Sequence, residues 1–357
     1  MAWASLESTE PRRLWRFVLP ALITVMSLVG LSTPLPYYAQ YPGGATPVNP
    51  LVGVPADKAH PAAGRILLTT VALQHRPTVF DSVRGWLNPD VDLFPEEQLL
   101  GDITPEQFQQ VNMQSIDTSK DVAITVALRR LGFTVSQTGT GALVEAVVEG
   151  MPAQAFLRPG DVIVRAGGQP VGLVEDVQNA VAARRPGEIL QLDVQDPNGM
   201  PRSVGVPLVP CPEGAVCPKG GTAVMGVQLR TRDERFDLPF EVTINSEDIG
   251  GPSAGLAFAL TVIDVLTPGE LTGGRAIAVT GEIGLDGSVG AIGGVRQKAA
   301  AVSEAGVEVF LVPQANLKDA RSNAGDNLRV IPVTNLESAL AALAELGGDV
   351  GPLGPRR

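Results

Sequence analysis

Between about residue 133 and residue 209 the chain changes character, and this change restricts its architecture more than any other feature. Upstream, "TPEQFQQVNMQSIDTSKDVAITVALRRLGF" has the pattern of one helix that stops at Gly132. Inside the block, short apolar strands are separated by turns at "RPGD", "PGE" and "DPNG", with two helical pieces, "PAQAFL" and "VEDVQNAVAARR". Downstream, over 222–346, strands "FEVTI", "AIAVTGEI" and "VEVFLVP" alternate with helices "PSAGLAFALTVIDVL", "GVRQKAAAVSEAG" and "NLESALAALAEL". Such alternation implies helices packed on a sheet. A further strand, "GRILLTTVAL" (64–73), stands alone before the β-rich block. With 357 residues the chain exceeds one ordinary core. The expectation is a mixed α/β or α+β protein with a β-rich unit (133–209) between an N-terminal part (64–132) and a larger C-terminal unit.

The N-terminus sets compartment. Arg12, Arg13 and Arg16 precede "FVLPALITVMSLVGL", and no charge follows until Asp57. A basic flank before such a run marks a membrane span or a signal peptide, with residues 1–16 on the cytoplasmic side. Tyr37, Tyr38 and Tyr41 read as an aromatic belt, so a transmembrane anchor over 17–38 is expected. Removal as a signal peptide is the alternative. The proline- and glycine-rich 39–63 reads as an extended tether, and 347–357 as a disordered tail. The net charge of −11 argues against nucleic acid. Cys211 and Cys217, in a proline- and glycine-rich linker (210–221), suit a small-loop disulfide outside the cytoplasm, with two free thiols as the alternative. With two histidines in the chain, His60 and His75, no metal site is expected.

"GGPSAGLAFALTVIDVL" places Ser253 where an apolar helix begins. Serine there is ordinarily a cap. A helix start also gathers unpaired N–H groups and positive potential, which suit a developing oxyanion. The turn residues Gly251, Pro252, Ala254 and Gly255 are the candidates for that role. A nucleophilic serine needs a base, and both histidines lie far upstream in the sequence. Lys298 is followed by Ala299, Ala300, Ala301 and Val302. Burial there would lower its pKa far enough for it to act as a base. A solvated lysine on a helix face is the alternative.

Taken together, "EVTINSEDIGGPSAG", "AIAVTGEIGLDGSVGAIGGVRQKAAAV" and "FLVPQAN" resemble the proteolytic domain of the Lon proteases. The β-rich block resembles the PDZ domains of exported bacterial proteases, and the whole chain is similar to membrane-anchored, PDZ-containing Lon-like proteases. The resemblance implies Ser253 as nucleophile, Lys298 as general base, Thr280 as the hydroxyl that orients the lysine, and Glu282 in a supporting place. Where many Lon proteases have an acid three residues before the serine, this chain has Gly250, and Asp248 is the substitute candidate. Leu131, Gly132, Phe133 and Thr134 would form the PDZ carboxylate-binding loop, a plain helix stop being the alternative. "GRILLTTVAL" would then join the protease sheet, the PDZ unit being inserted after it.

The implied function is an ATP-independent, membrane-tethered serine endopeptidase acting outside the cytoplasm on unfolded or exposed peptide segments. The PDZ domain would recruit substrate. No G-x-x-x-x-G-K-[ST] phosphate loop occurs, so neither ATP nor another cofactor is expected. Partners would be peptides or proteins, the bilayer and, as in other Lon-type domains, further copies of the chain. The rival readings are a non-catalytic PDZ scaffold and a C-terminal processing type of protease.

Overall fold

The charge-free N-terminal stretch divides into a helix and a strand. The structure is a computed structural model that describes residues 12–101, 103–212, 222–246 and 249–351. Helix α1 (Arg12–Leu31) ends before Pro34 and Pro36, which disfavour helix. Among the described residues no helix is long and apolar enough to cross a membrane. The expected transmembrane helix over 17–38 is therefore not found among the described residues. Tyr37 opens strand β1 (Tyr37–Pro47), and Tyr38 is buried in the folded unit rather than placed in an aromatic belt.

The expected tether is corrected too. β1 pairs antiparallel with β2 (Arg65–His75), the isolated strand of the sequence, and with the edge strand β3 (Asp92–Pro95). "PGG" (42–44) is a β-bulge: the register shifts between Pro42 and Ala45, and Gly44 N–H donates to Thr70 Oγ1 at 2.9 Å. A Cβ on Gly43 would lie 2.6 Å from the Thr70 carbonyl oxygen, so only glycine fits. Further on, His60 N–H donates to Val265 O (2.8 Å), and Glu270 accepts from the amides of Ala63 and Gly64.

Helix α2 (Pro105–Arg130) starts at a capping box, Thr104 with Gln107. It stops at 131–133, where Gly132 takes a φ of 85° and its N–H returns to Arg129 O. Phe133 N–H returns to Leu128 O, which completes a Schellman stop.

Residues 134–239 form a separate unit. Its main sheet has the order β7-β6-β5-β4-β8, all antiparallel, from β4 (Ala142–Val147), β5 (Val162–Ala166), β6 (Ile189–Gln195), β7 (Pro201–Pro207) and β8 (Val227–Thr231). The "DPNG" turn joins β6 to β7, with Asp196 N–H bonded to Met200 O. Alternate strand residues such as Ile163, Leu190, Leu192 and Val194 fill the core with Val177 and Val181 of helix α3 (Val174–Ala182). Cys211 is disulfide-bonded, while Cys217 lies outside the described residues.

The chain then returns to the first unit, which comprises 1–133 and 240–357. Its further elements include helix α4 (Gly255–Leu266), strand β9 (Ala276–Val279), the hairpin β10–β11 (Glu282–Ile283, Val289–Gly290), helix α5 (Val295–Glu304), strands β12 (Val309–Pro313) and β13 (Arg329–Val333), and helix α6 (Leu336–Glu345). The sheet order is β13-β12-β9-β2-β1-β3. β2, β9, β12 and β13 run parallel and β1 and β3 join antiparallel, so "GRILLTTVAL" lies inside this sheet. α4 is buried from Gly255 to Asp264, as expected for a helix apolar all round. The expected tail begins as ordered chain: Asp349 N–H donates to Glu270 O at 2.8 Å.

Candidate active site

Two glycines start the two helices that carry the site. Gly251, with φ 86° and ψ 153°, lets the chain turn sharply into the 3₁₀ turn Pro252–Ala254, which runs straight into α4. Gly294, at φ 66°, starts α5, and a Cβ there would strike Gln40 and Val71 at 2.8 Å. One turn into α5, Lys298 points inward between buried alanines and is 2% exposed.

Lys298 Nζ donates to Ser253 Oγ at 2.6 Å and to Thr280 Oγ1 at 3.2 Å. Thr280, fully buried at the end of β9, donates its own hydroxyl to the Ser253 carbonyl at 3.1 Å. Gly281 N–H donates to the same carbonyl at 2.9 Å. The sequence separation of 45 residues between serine and lysine thus closes to one hydrogen bond. Burial holds the Lys298 ammonium down from its ordinary 10.5 to about 7, and no acid of the described residues forms an ion pair with it. An amine that can be neutral near pH 7, bonded to a serine hydroxyl, is the arrangement for removing the serine's proton.

The other expected residues are placed less uniformly. Gly251 N–H donates to Asn112 O (2.9 Å), Pro252 has none, and Gly255 N–H donates to Pro252 O. The i→i−3 pattern of the 3₁₀ turn directs the Ala254 N–H to the Gly251 carbonyl. Of the four turn residues expected as oxyanion donors, three have committed amides and Pro252 has no N–H, which corrects that expectation. Among the described residues, the turn amide without an acceptor is that of Ser253 itself. Glu282 is exposed on the β10–β11 hairpin and reaches neither Ser253 nor Lys298, because alternation in a strand sends it away from buried Ile283. Asp248 lies outside the described residues, and Gly250 is exposed beside Asn112. Leu131–Phe133 form the helix stop, and the Gly132 and Phe133 amides are spent on α2 carbonyls, so they do not offer themselves to a carboxylate. Phe133 packs edge-on against Phe240, with centroids 5.2 Å apart. The neighbouring Thr134 begins the β-rich unit. The histidines are elsewhere: His75 bonds Glu96 at 3.0 Å and stacks on Tyr38.

Sequence reasoning missed two sets of neighbours. From α2, Ser119 donates to the Pro252 carbonyl at 3.1 Å. From the edge strand, Asp92 accepts from Arg296 (3.1 Å) and from buried Gln297 (2.8 Å), which anchors the first turn of α5 beside Lys298. No local signal marks either.

The geometry brings a serine hydroxyl against a buried lysine amine, and the comparisons point to a serine peptidase. Residues 242–345 match the Lon protease (S16) C-terminal proteolytic domain, and residues 129–208 match the PDZ domain. The Lon proteases of Rickettsia typhi and Rickettsia prowazekii are each 36% identical over 115 residues, which is 31% of this chain and 14% of theirs. That of Azorhizobium caulinodans is 37% identical over 110 residues, 30% of this chain and 13% of its own. The chain thus spans about one seventh of the length of these curated relatives. Among solved structures, the PDZ domain of an SdrC-like protein of Listeria monocytogenes is similar over 25% of this chain and 87% of its own, with 18% identity and a TM-score of 0.22. The chain carries a serine peptidase domain of the Lon type together with a PDZ domain.

Proposed function

We propose that the chain is an ATP-independent serine endopeptidase in which Ser253 and Lys298 form the catalytic dyad. The observation that carries this reading is the 2.6 Å bond from a buried, pKa-lowered Lys298 to Ser253 Oγ. Neutral Lys298 takes the Ser253 proton as Oγ attacks the peptide carbonyl. The Ser253 N–H, free of other acceptors among the described residues, faces the resulting oxyanion. Protonated Lys298 then gives its proton to the leaving amine, and in the second half-reaction takes one from the water that cleaves the acyl-enzyme. Thr280 keeps the lysine on the serine by accepting from Nζ while holding the Ser253 carbonyl.

Without a phosphate-binding loop in the chain, unfolding by ATP is not part of this reading, so the substrates are unfolded or exposed segments. The PDZ unit supplies peptide recruitment by strand addition at a sheet edge. The basic cluster at Arg12, Arg13 and Arg16 before an apolar run supports tethering at the membrane with the peptidase outside the cytoplasm.

The test uses the full chain in detergent, treated with a fluorophosphonate and digested for mass spectrometry. An adduct at Ser253 that is absent in Lys298→Met is the expected result. A native chain that shows no adduct, or an adduct retained at the wild-type rate in Lys298→Met, would sink the dyad. Alkaline carbonate extraction of membranes tests the tether separately: release into the supernatant rejects it.

A further inference from the structure

The peptide units on either side of the Ser253 α-carbon are each held by groups from other elements. Gly281 and Thr280 hold the Ser253 carbonyl, and Ser119 Oγ holds the Pro252 carbonyl at 3.1 Å. The Pro252 carbonyl and the Ser253 N–H belong to one trans peptide plane and point in opposite directions. Whatever fixes that carbonyl therefore aims that N–H, and Ser119 Oγ does so from outside the turn, alongside the turn's own bond from Gly255 N–H. Ser119 is 5% exposed and sits in the middle of α2, with Asn112 two turns earlier on the same face accepting from Gly251 N–H. The approach is close: a Cβ on Gly255 would lie 2.6 Å from Ser119 Oγ, so the glycine at the start of α4 makes room for this bond. Asn112 and Ser119 both precede the segment 242–345 that matches the Lon proteolytic domain.

We infer that Ser119 is a positioning residue of the peptidase, which orients the Ser253 N–H toward the oxyanion through the Pro252 carbonyl. This rests on the proposed role of Ser253 and adds a residue from the far side of the inserted unit. It acts on the oxyanion and leaves the base alone, since Ser119 bonds neither Lys298 nor Thr280.

The experiment measures fluorophosphonate labelling of the full chain, resolved into a maximal rate and a half-saturating concentration, across pH, for the native protein, Ser119→Ala and Ser119→Thr. Removing an oxyanion donor outright costs about 100- to 1000-fold, so a mis-aimed one should lower the maximal rate roughly tenfold. The half-saturating concentration, the pH midpoint and the melting temperature should stay as in the native chain, and Ser119→Thr, which keeps a hydroxyl, should recover most of the rate. The inference is overturned if Ser119→Ala labels at the native rate, if its loss lies in the half-saturating concentration or in melting temperature, if the pH midpoint moves, or if Ser119→Thr loses as much. Absence of labelling in the native chain would reject the Ser253 reading itself, an outcome separate from all of these.

Discussion

Both units bury ionisable side chains almost completely, and Asp161 in one and Lys298 in the other are treated in opposite ways. In the β-rich unit Asp161, 2% exposed, is met by the Arg202 guanidinium and by the Arg158 N–H at 2.7 Å. In the peptidase unit Lys298, also 2% exposed, is given two hydroxyls and no counter-charge among the described residues. A buried charge that is paired and hydrogen-bonded serves the scaffold. A buried amine left without its carboxylate costs stability, and in return it can be neutral at physiological pH. The contrast points to Lys298 of the peptidase unit as the group to test for chemistry; that unit's buried Asp264 is met by the Asn49 amide and the Leu271 N–H.

The largest expected effects come from the unpaired lysine. Ser253→Ala and Lys298→Met should each lower peptidase activity, measured on fluorescein-labelled casein, by at least about 10⁴-fold. Native activity should rise about tenfold per pH unit below 7 and level off above it, with the midpoint at the Lys298 pKa of about 7. For stability the sign follows from the same depression. Between about 7 and 10.5 the unfolded state holds the extra proton, so this group makes the fold gain stability as pH rises, and its full penalty is present below 7. Lys298→Met should therefore be stabilising at pH 6 in denaturant titration, with the gain gone near pH 10. A destabilised Lys298→Met would show that the lysine is not the burden its surroundings make it.

The paired aspartate should behave the other way. Arg202→Met leaves Asp161 buried beside one backbone amide and should cost about 2–3 kcal/mol, toward the lower end for buried pairs because the arginine is partly exposed. Fluorophosphonate labelling of Ser253 at a temperature where the variant is folded should not change. A drop in labelling there would erase the separation between a scaffold charge and a catalytic one.

Much of this contrast is legible in the sequence, and the gaps have physical reasons. Three alanines after Lys298 announce a helix face with no room for solvent, and glycines before Ser253 announce a sharp entry into a helix. Both are local signals of burial and turn geometry. The tether expectation failed because a proline- and glycine-rich composition describes a bulged strand as well as a linker. What distinguishes them at Gly43 is Thr70, a partner 27 positions away. Ser119 and Asn112 were invisible for the same reason. They lie on a 26-residue helix whose sequence does not say which face meets Ser253. Glu282 was placed near the dyad by its neighbours in the motif, yet strand alternation turns it to solvent.

The smallest expected effect separates the two hydroxyls that attend the dyad. Thr280 Oγ1 accepts from Lys298 Nζ and donates to the Ser253 carbonyl, whereas Ser119 touches only the Pro252 carbonyl. Thr280→Val keeps the shape and removes both bonds, so the labelling rate should fall about tenfold, the scale of one lost hydrogen bond to a charged group. An oxygen that accepts from the ammonium favours its charged form, and its removal lowers the lysine pKa further. The pH midpoint in Thr280→Val should accordingly move to the acid side of 7, by up to about one unit, while in Ser119→Ala it stays in place. A midpoint unchanged in Thr280→Val would mean that the threonine steadies the serine's backbone alone. The lysine would then owe its state to burial and to Ser253, and the two hydroxyls would have one kind of role instead of two.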